Sequence, residues 1–111
     1  MATKPPDKTE DDDLQARLTE ASAALIRIRR GESPTAEELS AAPLLEFWAF
    51  TAADGILALT GVVTDHPTLP RGARIITSPL LWVAPDLRSA RTLSRFYRLG
   101  VRLDDELSQG S

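Results

Sequence analysis

The stretch that decides the fold is the last third of the chain, where residues 74–100 read RIITSPLLWVAPDLRSARTLSRFYRLG. Branched and apolar residues fill 74–83, and Pro79 interrupts them, which favours an edge strand or a bulge at that point. The polar break at 84–89 has the length of a hairpin turn, and aromatic residues follow it at 91–99. We therefore predict a β-hairpin that carries arginines and an aromatic pair on a small sheet.

The segment 91–99 has two interpretations, because its pattern fits two periodicities. In a strand, Arg91 and Arg95 share one face of the sheet while Arg98 lies on the opposite face. In a helix, one side would instead gather Leu93, Phe96, Tyr97 and Gly100. We favour the strand, since β-branched and aromatic residues after a short turn are typical of a hairpin.

Two more strand patterns precede this hairpin. Residues 45–51 read LEFWAFT, and residues 56–64 read ILALTGVVT. The dipeptide Asp54-Gly55 between them is a turn signal. Gly61 in the middle of the second pattern indicates a bulge or a sharp bend, as at the corner of a small barrel. The two tryptophans, which we expect in the core, are Trp48 and Trp82.

The most regular pattern in the chain is an apolar stripe within residues 11–30. Its members recur at intervals of 4, 3, 4 and 3, as on one face of a helix, and they are Leu14, Leu18, Ala21, Leu25 and Ile28. Acidic residues lie at the start of this segment, arginines lie at its end, and Gly31 supplies the left-handed residue that closes the helix. The stripe either packs on the domain's own sheet, which we favour, or joins two copies of the chain through Leu14, Leu18, Leu25 and Ile28.

A second, short helix is predicted over 35–42. Thr35 and Glu38 match a capping box, and Pro43 stops the helix. We therefore predict an α+β fold in which two N-terminal helices precede an antiparallel meander of three or four strands. The sheet is expected to be strongly bent, as in an SH3-like or OB-like barrel.

The composition is that of one globular domain. The 111 residues are 42% apolar and 26% charged, which allows one modest core. We expect this domain over 11–102, with a disordered segment at 1–10 and a frayed acidic and polar tail at 103–111. The absence of cysteine excludes disulfides, thiolate nucleophiles and sulfur-ligated zinc. No apolar stretch approaches the length of a membrane span, so we expect a soluble, cytoplasmic protein that contacts no membrane.

The net charge of −3 conceals an uneven distribution. Residues 1–65 hold six basic and twelve acidic side chains, whereas residues 66–102 hold seven arginines and one aspartate. Arginine offers a planar fork that suits carboxylates and phosphates, so its exclusive use in the second half indicates a binding surface. An arginine-rich genome would produce the same bias without any binding role.

Several short motifs lie within residues 43–100 and just before them. They are Ala42-Pro43-Leu44-Leu45 with Trp48, Gly61-Val62-Val63, His66-Pro67, Gly72, Thr77-Ser78-Pro79-Leu80 and the decapeptide 91–100. The chain resembles an uncharacterised family of small bacterial domains of unknown function in these motifs. The preceding helix and the dipeptide Pro34-Thr35 are also similar to that family. The resemblance implies no activity, cofactor or catalytic residue. Its members have glycine before His-Pro, where this chain has Asp65, and the difference bears on the loop conformation.

No catalytic or metal-binding constellation is present in the sequence. The lone histidine, His66, lacks both the partners of a zinc site and an oriented partner for acid–base chemistry, so we interpret it as a loop residue whose ring packs on a backbone turn. Carboxylates cluster at 11–13, 37–38 and 104–106, which are typical solvated positions. Motifs of phosphate loops, dinucleotide sites and serine hydrolases are missing. We therefore expect a non-enzymatic protein without cofactor, catalytic residue or metal.

The remaining candidate is an arginine surface, whose predicted binding residues are Arg71, Arg74, Arg88, Arg91, Arg95, Tyr97 and Arg98. Arginine and tyrosine are residue types that anchor protein interfaces. We therefore expect an interaction module that binds another protein, itself a monomer or a homodimer. One version is an accessory factor, or an inhibitor encoded by a mobile element that blocks a host nucleoprotein complex, as an anti-CRISPR protein does. The alternative is a nucleic-acid-binding regulator, because small barrels combine a basic groove with exposed aromatic rings.

Overall fold

The computed structural model describes residues 8–104. Two helices come first, α1 over Lys8–Arg29 and α2 over Ala36–Ala41. Six strands follow, and their bounds are β1 Leu44–Ala53, β2 Ile56–Thr64, β3 Arg74–Ile76, β4 Leu80–Val83, β5 Ser89–Thr92 and β6 Phe96–Leu99. The α+β class is confirmed, whereas the sheet has more strands than predicted and residues 103–104 are also helical. The predictions for 1–7 and 105–111 lie outside the described residues.

Helix α1 carries the predicted stripe and begins at Lys8, earlier than the predicted start at residue 11. Its end is fixed at Gly31, whose φ of +87° is a left-handed conformation. The Glu32 amide then donates to the Arg27 carbonyl at 3.0 Å, which satisfies a carbonyl of the last turn. Within residues 8–104, neither helix combines the length and the apolar character that a bilayer crossing requires.

A capping box starts α2, as predicted. The Glu38 amide donates to Thr35 Oγ1 at 3.0 Å, and the Thr35 amide donates to Glu38 Oε1 at 3.0 Å. The Glu38 carboxylate also accepts two hydrogen bonds from Arg27, at 2.7 and 3.0 Å, so it joins α2 to α1. Arg27 first, and the Thr35 amide second, lower the pKa of Glu38 to about 2.

The sheet is mixed, with the strand order β3-β2-β1-β6-β5-β4. β1 and β2 form the predicted antiparallel hairpin, and β4, β5 and β6 form a second antiparallel unit. The two units join where Leu44 and Leu45 of β1 pair in parallel with Arg98 and Leu99 of β6. The prediction of a purely antiparallel meander is therefore wrong, because the joining contact links strands that are far apart in the chain.

The sheet curls until its two edges come close together. β3 and β4 lie at opposite ends of the strand order, yet only residues 77–79 connect them. Four extended Cα steps reach about 14 Å, whereas the outer strands of a flat six-stranded sheet would lie about 24 Å apart. β2 and β4 accordingly contact each other. This curvature agrees with the predicted strong bend, and the choice between an SH3-like and an OB-like barrel stays a prediction.

The prediction of a single strand over 91–99 is wrong. A tight turn divides this segment into β5 and β6, which pair with each other in antiparallel fashion. Thr92 holds the turn, because its amide donates to the Arg95 carbonyl at 2.9 Å while its hydroxyl accepts from the amides of Ser94 and Arg95, each at 3.3 Å. A hydroxyl that bonds the neighbouring backbone offers the chain an alternative to a continuous ladder.

The irregularity predicted at Gly61 lies in the strand opposite. The register of β1 shifts between Glu46 and Ala49, where Phe47 has a φ of +52°. Gly61 of β2 lies across from this bulge, and a Cβ atom on it would come within 2.7 Å of Leu45 Cγ. Close packing against β1 therefore requires the glycine at this position.

The main core lies inside the curled sheet around Trp48, which is 1% exposed, as predicted. The Trp48 indole nitrogen donates to the Gly100 carbonyl at 3.2 Å. The other buried members of this core are Leu45, Leu59, Val63, Ala90, Tyr97 and Leu99. Trp82 is half-buried in a smaller cluster that attaches α1 to the sheet and whose other members are Ala24, Ile28, Ala42 and Phe96.

The stripe of α1 divides into two halves. Ala21 is buried, and Leu25 and Ile28 are half-buried, so the C-terminal half packs on the domain, as favoured from the sequence. Leu14 and Leu18 in the N-terminal half are 47% and 43% exposed. Self-association through the stripe stays a prediction.

Candidate functional site

The sheet divides the predicted arginine surface. Arg71 and Arg74 are exposed beside and on β3, the first strand in the sheet order. The other predicted residues lie at β5 and β6, in the far half of that order, and they are Arg88, Arg91, Arg95, Tyr97 and Arg98. Within this second group, Arg88 and Arg98 line one surface cleft and Arg91 and Arg95 line another, whereas neither lining includes Arg71 or Arg74.

Two members of this second group are buried. Tyr97 is 4% exposed and belongs to the main core, where burial raises the pKa of its hydroxyl. Arg91 is 7% exposed, and its guanidinium carbon lies 4.9 Å from the centre of the Phe96 ring. A cation over a ring face is favourable, but a buried guanidinium also needs hydrogen-bond acceptors.

An open cleft of about 930 Å³ lies between α2, β1, the turn before β5 and the segment that follows β6. We call it the arginine cleft, because its basic residues are Arg88, Arg98 and Arg102 while its one acidic residue is Asp86. Its apolar wall is formed by Leu39, Leu44, Trp48, Leu87, Leu99 and Val101. The cleft thus combines positive charge with apolar surface.

Arg102 is the cleft arginine that lies outside the predicted set. Its guanidinium carbon lies 5.2 Å from the centre of the Trp48 ring and 5.5 Å from that of Phe50, and the two rings meet edge to face at 5.4 Å. Trp48 and Arg102 also form a parallel β-bridge, which holds the arginine beside the indole. No local pattern signals this contact, because it joins β1 to the segment after β6.

Arg98 is anchored on both sides. Its Nε donates to the Ala42 carbonyl at 2.9 Å, and its Nη2 lies 3.4 Å from Asp65 Oδ2. Asp65 has a φ of +61°, a left-handed conformation that glycine adopts readily and that aspartate tolerates. Asp65 therefore adopts the left-handed conformation that this loop needs and also forms an ion pair with Arg98.

The turn before β5 presents Leu87 and Arg88 to the cleft. Leu87 has a φ of +60°, a strain of about 1–3 kcal/mol for a residue other than glycine. The Leu87 amide donates to the Ala84 carbonyl at 2.9 Å, and the Arg88 amide donates to Asp86 Oδ1 at 3.0 Å. Both side chains are exposed, so the strained turn displays an apolar and a cationic group side by side.

A smaller cavity of about 320 Å³ lies at Arg91, and we call it the Arg91 cavity. Helices α1 and α2, the loop after β2 and the β5–β6 turn all contribute to its wall. Its polar and charged lining residues are Glu20, Glu38, Asp65, Arg91, Ser94 and Arg95. Two of these acids already have partners, since Glu38 pairs with Arg27 and Asp65 pairs with Arg98.

His66 has the loop role inferred from the sequence. Its Nδ1 accepts hydrogen bonds from the amides of Thr68 and Leu69, at 3.1 and 3.2 Å, and so holds the turn after β2. Burial lowers the pKa of His66, and the positive charge of Arg95 adds to this effect. In the part of the chain that the structure describes, no group of three or more histidine, aspartate or glutamate side chains is placed to hold a metal ion.

Comparison with known proteins identifies the family. No curated protein and no solved structure matches the chain. The model of a family of unknown function, DUF6634, matches residues 14–109, which include most of α1, α2 and the whole sheet. The resemblance to an uncharacterised family of small domains, inferred from the motifs around 43–100, is thereby confirmed. With nearly all of its folded part covered by that match, the chain belongs to DUF6634, a family whose function is unknown.

Proposed function

We propose that this domain is a non-enzymatic protein-interaction module whose arginine cleft binds an acidic, leucine-bearing segment of a partner protein. The main support for this proposal is that three arginines and an apolar wall line the same open cleft. A peptide in the cleft would bury apolar side chains and direct carboxylates at the arginines.

The charge of the cleft favours an acidic partner. Among the described residues, the lining holds three arginines and one acid, Asp86, whose carboxylate already accepts the Arg88 amide. Outside the lining, Asp65 lies 3.4 Å from Arg98 Nη2 and Asp104 lies 3.8 Å from Arg102 Nε. A backbone carbonyl holds Arg98, and the Trp48 ring holds Arg102, so binding would cost little further side-chain entropy at either residue. A partner carboxylate would therefore form charge-assisted hydrogen bonds with groups that are already ordered.

The size of the cleft favours a short segment. Its volume of about 930 Å³ lies near the top of the range of roughly 300–1,000 Å³ that holds drug-sized molecules. Leu87 and Val101 in its apolar wall are exposed, so they offer a partner accessible apolar contact area. A peptide of a few residues can contact both this wall and the arginines of the cleft.

The alternative, a nucleic-acid-binding regulator, has less support. Stacking on bases needs exposed rings beside the arginines, and the two rings predicted for that role, Phe96 and Tyr97, are both buried, although Phe50 beside Arg102 is 39% exposed. Arg71 and Arg74 also line neither the arginine cleft nor the Arg91 cavity. A role as a mobile-element-encoded inhibitor, such as an anti-CRISPR protein, is a narrower version of the first proposal that rests on small size, acidity and the lack of catalytic motifs. A proposed cytoplasmic location rests on the absence of cysteine and of long apolar stretches from the sequence.

The test is a selection of short random peptides displayed on phage, carried out on wild type, Arg88→Glu and Arg71→Glu. Arg71→Glu is the matched control, because Arg71 is equally a surface arginine but lies outside the cleft. We expect wild type and Arg71→Glu to enrich peptides that place Asp or Glu next to Leu. Arg88→Glu should bind these peptides at least about tenfold more weakly.

Two outcomes would contradict the proposal. Equal weakening by Arg71→Glu and Arg88→Glu would mean that net charge, and not the cleft, governs binding. Enrichment of no acidic peptide, together with salt-sensitive binding of a single-stranded oligonucleotide, would instead favour the nucleic-acid alternative.

A further inference from the structure

Arg91 is a buried arginine that lies outside the arginine cleft and lacks hydrogen-bond partners within residues 8–104 for part of its guanidinium group. Its Nε and Nη2 atoms are buried and have no hydrogen-bond partner among the described residues. Leaving a buried polar group unpaired costs about 1–3 kcal/mol, and more when the group is charged. An acceptor that binds beside Arg91 would remove this cost.

The Arg91 cavity has room for that acceptor. Its volume of about 320 Å³ accommodates a group of a few heavy atoms. Two arginines line it, Arg91 from β5 and Arg95 from the following turn, and Ser94 lies between them in sequence. Burial lowers the pKa of Arg91, while the charges of Glu20 and Glu38 oppose that effect. A guanidinium group is not deprotonated in proteins.

The unpaired atoms and the cavity charges together define the ligand class. Nε and Nη2 lie on one edge of the guanidinium, the edge that pairs with a carboxylate through two parallel hydrogen bonds. Glu20, Glu38 and Asp65 also line the cavity and would repel a dianion such as phosphate. A monoanionic carboxylate therefore fits better than a phosphate.

We infer that the Arg91 cavity is a binding site for a single carboxylate group, which displaces the groups that cover the Nε and Nη2 atoms of Arg91, pairs with both atoms and makes a second contact with Arg95. The carboxylate belongs either to a small free acid or to an acidic side chain of a partner protein. The cavity and the arginine cleft share no lining residue, so this site does not depend on the proposed function of the cleft.

The experiment is a titration of the ¹⁵N-labelled full chain with sodium acetate at constant ionic strength, followed by NMR. We expect saturable shifts of the Arg91 side-chain Nε–H signal and of the Ser94 and Arg95 amides. Arg91→Met should remain folded, because replacing an unpaired buried charge by an apolar side chain of similar length is often neutral or stabilising, and it should lose the shifts. Arg71→Met, the matched control, should keep them.

A second titration distinguishes the two sources of the carboxylate. N-acetylglutamate N-methylamide mimics a glutamate side chain in a protein, so affinity at least about tenfold above that of acetate would assign the site to a partner's acidic residue. Equal or weaker affinity would assign it to a small free acid. In both cases Glu20→Gln should strengthen binding, since it removes a negative charge from the cavity wall.

Three results would overturn the inference. They are the absence of saturable shifts with either carboxylate, shifts that persist unchanged in Arg91→Met, and tighter binding of inorganic phosphate than of acetate. If Arg91→Met fails to fold, Arg91→Lys replaces it, because lysine keeps the charge but lacks the two-point edge. Acetate binding that Arg91→Lys leaves unchanged would count against the site in the same way.

Discussion

The curled sheet and the N-terminal half of α1 both carry clear apolar patterns, yet different amounts of protein cover them. In the sheet, Leu45 and Trp48 are buried by strands from both ends of the β region. In α1, Leu14 and Leu18 remain exposed although they belong to the most regular stripe in the chain. Regular spacing therefore identifies the apolar face of an element, while the tertiary arrangement decides whether that face is covered.

The largest effect that would test this contrast is expected at the centre of the sheet. Trp48→Ala removes a buried indole and its hydrogen bond to the Gly100 carbonyl, so we expect the free energy of unfolding to fall by about 3–5 kcal/mol. Phe50→Ala is the control, because Phe50 meets the same indole edge to face but is 39% exposed, and it should cost about 1 kcal/mol. Urea denaturation measures both, and equal losses would show that the core is not centred on Trp48.

The next effect concerns how closely β2 approaches β1. Gly61→Ala places a methyl group 2.7 Å from Leu45 Cγ and 2.9 Å from the Glu46 carbonyl oxygen, so we expect a loss of about 1–3 kcal/mol. Adding Leu45→Ala removes one of these overlaps, so the double variant should lose less than the sum of the single losses. Thermal unfolding of the three variants gives these values, and strictly additive losses would argue against direct contact.

The ion pair between Arg27 of α1 and Glu38 of α2 should make a smaller contribution to stability, and this contribution should depend on pH. Glu38→Gln breaks the ion pair with Arg27 and weakens the α2 capping box, which should cost about 1 kcal/mol at neutral pH. The pKa of Glu38 is about 2 in the fold, below its ordinary 4.5, so its contribution is complete above pH 4.5 and is lost as the pH falls towards 2.

Wild type and Glu38→Gln should therefore converge in stability as an acid titration, followed by circular dichroism, proceeds. Glu37→Gln is the control, because Glu37 lies in the same first turn of α2 but its side chain takes no part in the capping box. A difference between wild type and Glu38→Gln that stays constant down to the lowest pH would contradict the role assigned to this carboxylate.

The smallest effect is expected on the exposed half of α1. Leu18→Glu should change the free energy of unfolding by less than about 0.5 kcal/mol, whereas Ala24→Glu buries a charge and should cost several times more. Light scattering at high protein concentration adds the oligomeric state. A wild-type dimer that Leu18→Glu converts into a folded monomer would establish the stripe as a self-association seam, and an unfolded Leu18→Glu would show that Leu18 is covered.

The elements that the sequence predicts well are those whose signals are local. The stripe and the end of α1, the capping box of α2 and the bounds of β2 follow from residues a few positions apart. The parallel pairing of β1 with β6 has no local signal, because hydrophobic alternation in either strand fits an antiparallel neighbour equally well. The turn between β5 and β6 depends on the Thr92 hydroxyl, because its hydrogen bonds to neighbouring amides compete with the hydrogen bonds of a continuous strand.

For the candidate site, the sequence indicates the residue type but not its surroundings. Arg88 and Arg98 belong to the predicted set and line the cleft, whereas Arg102 joins them through its bridge to Trp48. Strand alternation assigns Arg91 to one face of the sheet. It does not reveal that helices and a turn cover that face, which is why the burial of this guanidinium could not be predicted.

The contact between β1 and β6 also bears on when the chain can fold. The Arg98 amide donates to the Pro43 carbonyl, and the Gly100 amide donates to the Leu45 carbonyl, each at 2.9 Å. Each bond closes a loop that includes all of β2, β3, β4 and β5. The chain therefore loses conformational entropy before most of the stabilising contacts between these strands can form. During synthesis, the helices and the β1–β2 hairpin can form early, but Trp48 stays uncovered until residues 96–100 leave the ribosome. We expect the nascent domain to be a chaperone and protease substrate until that point.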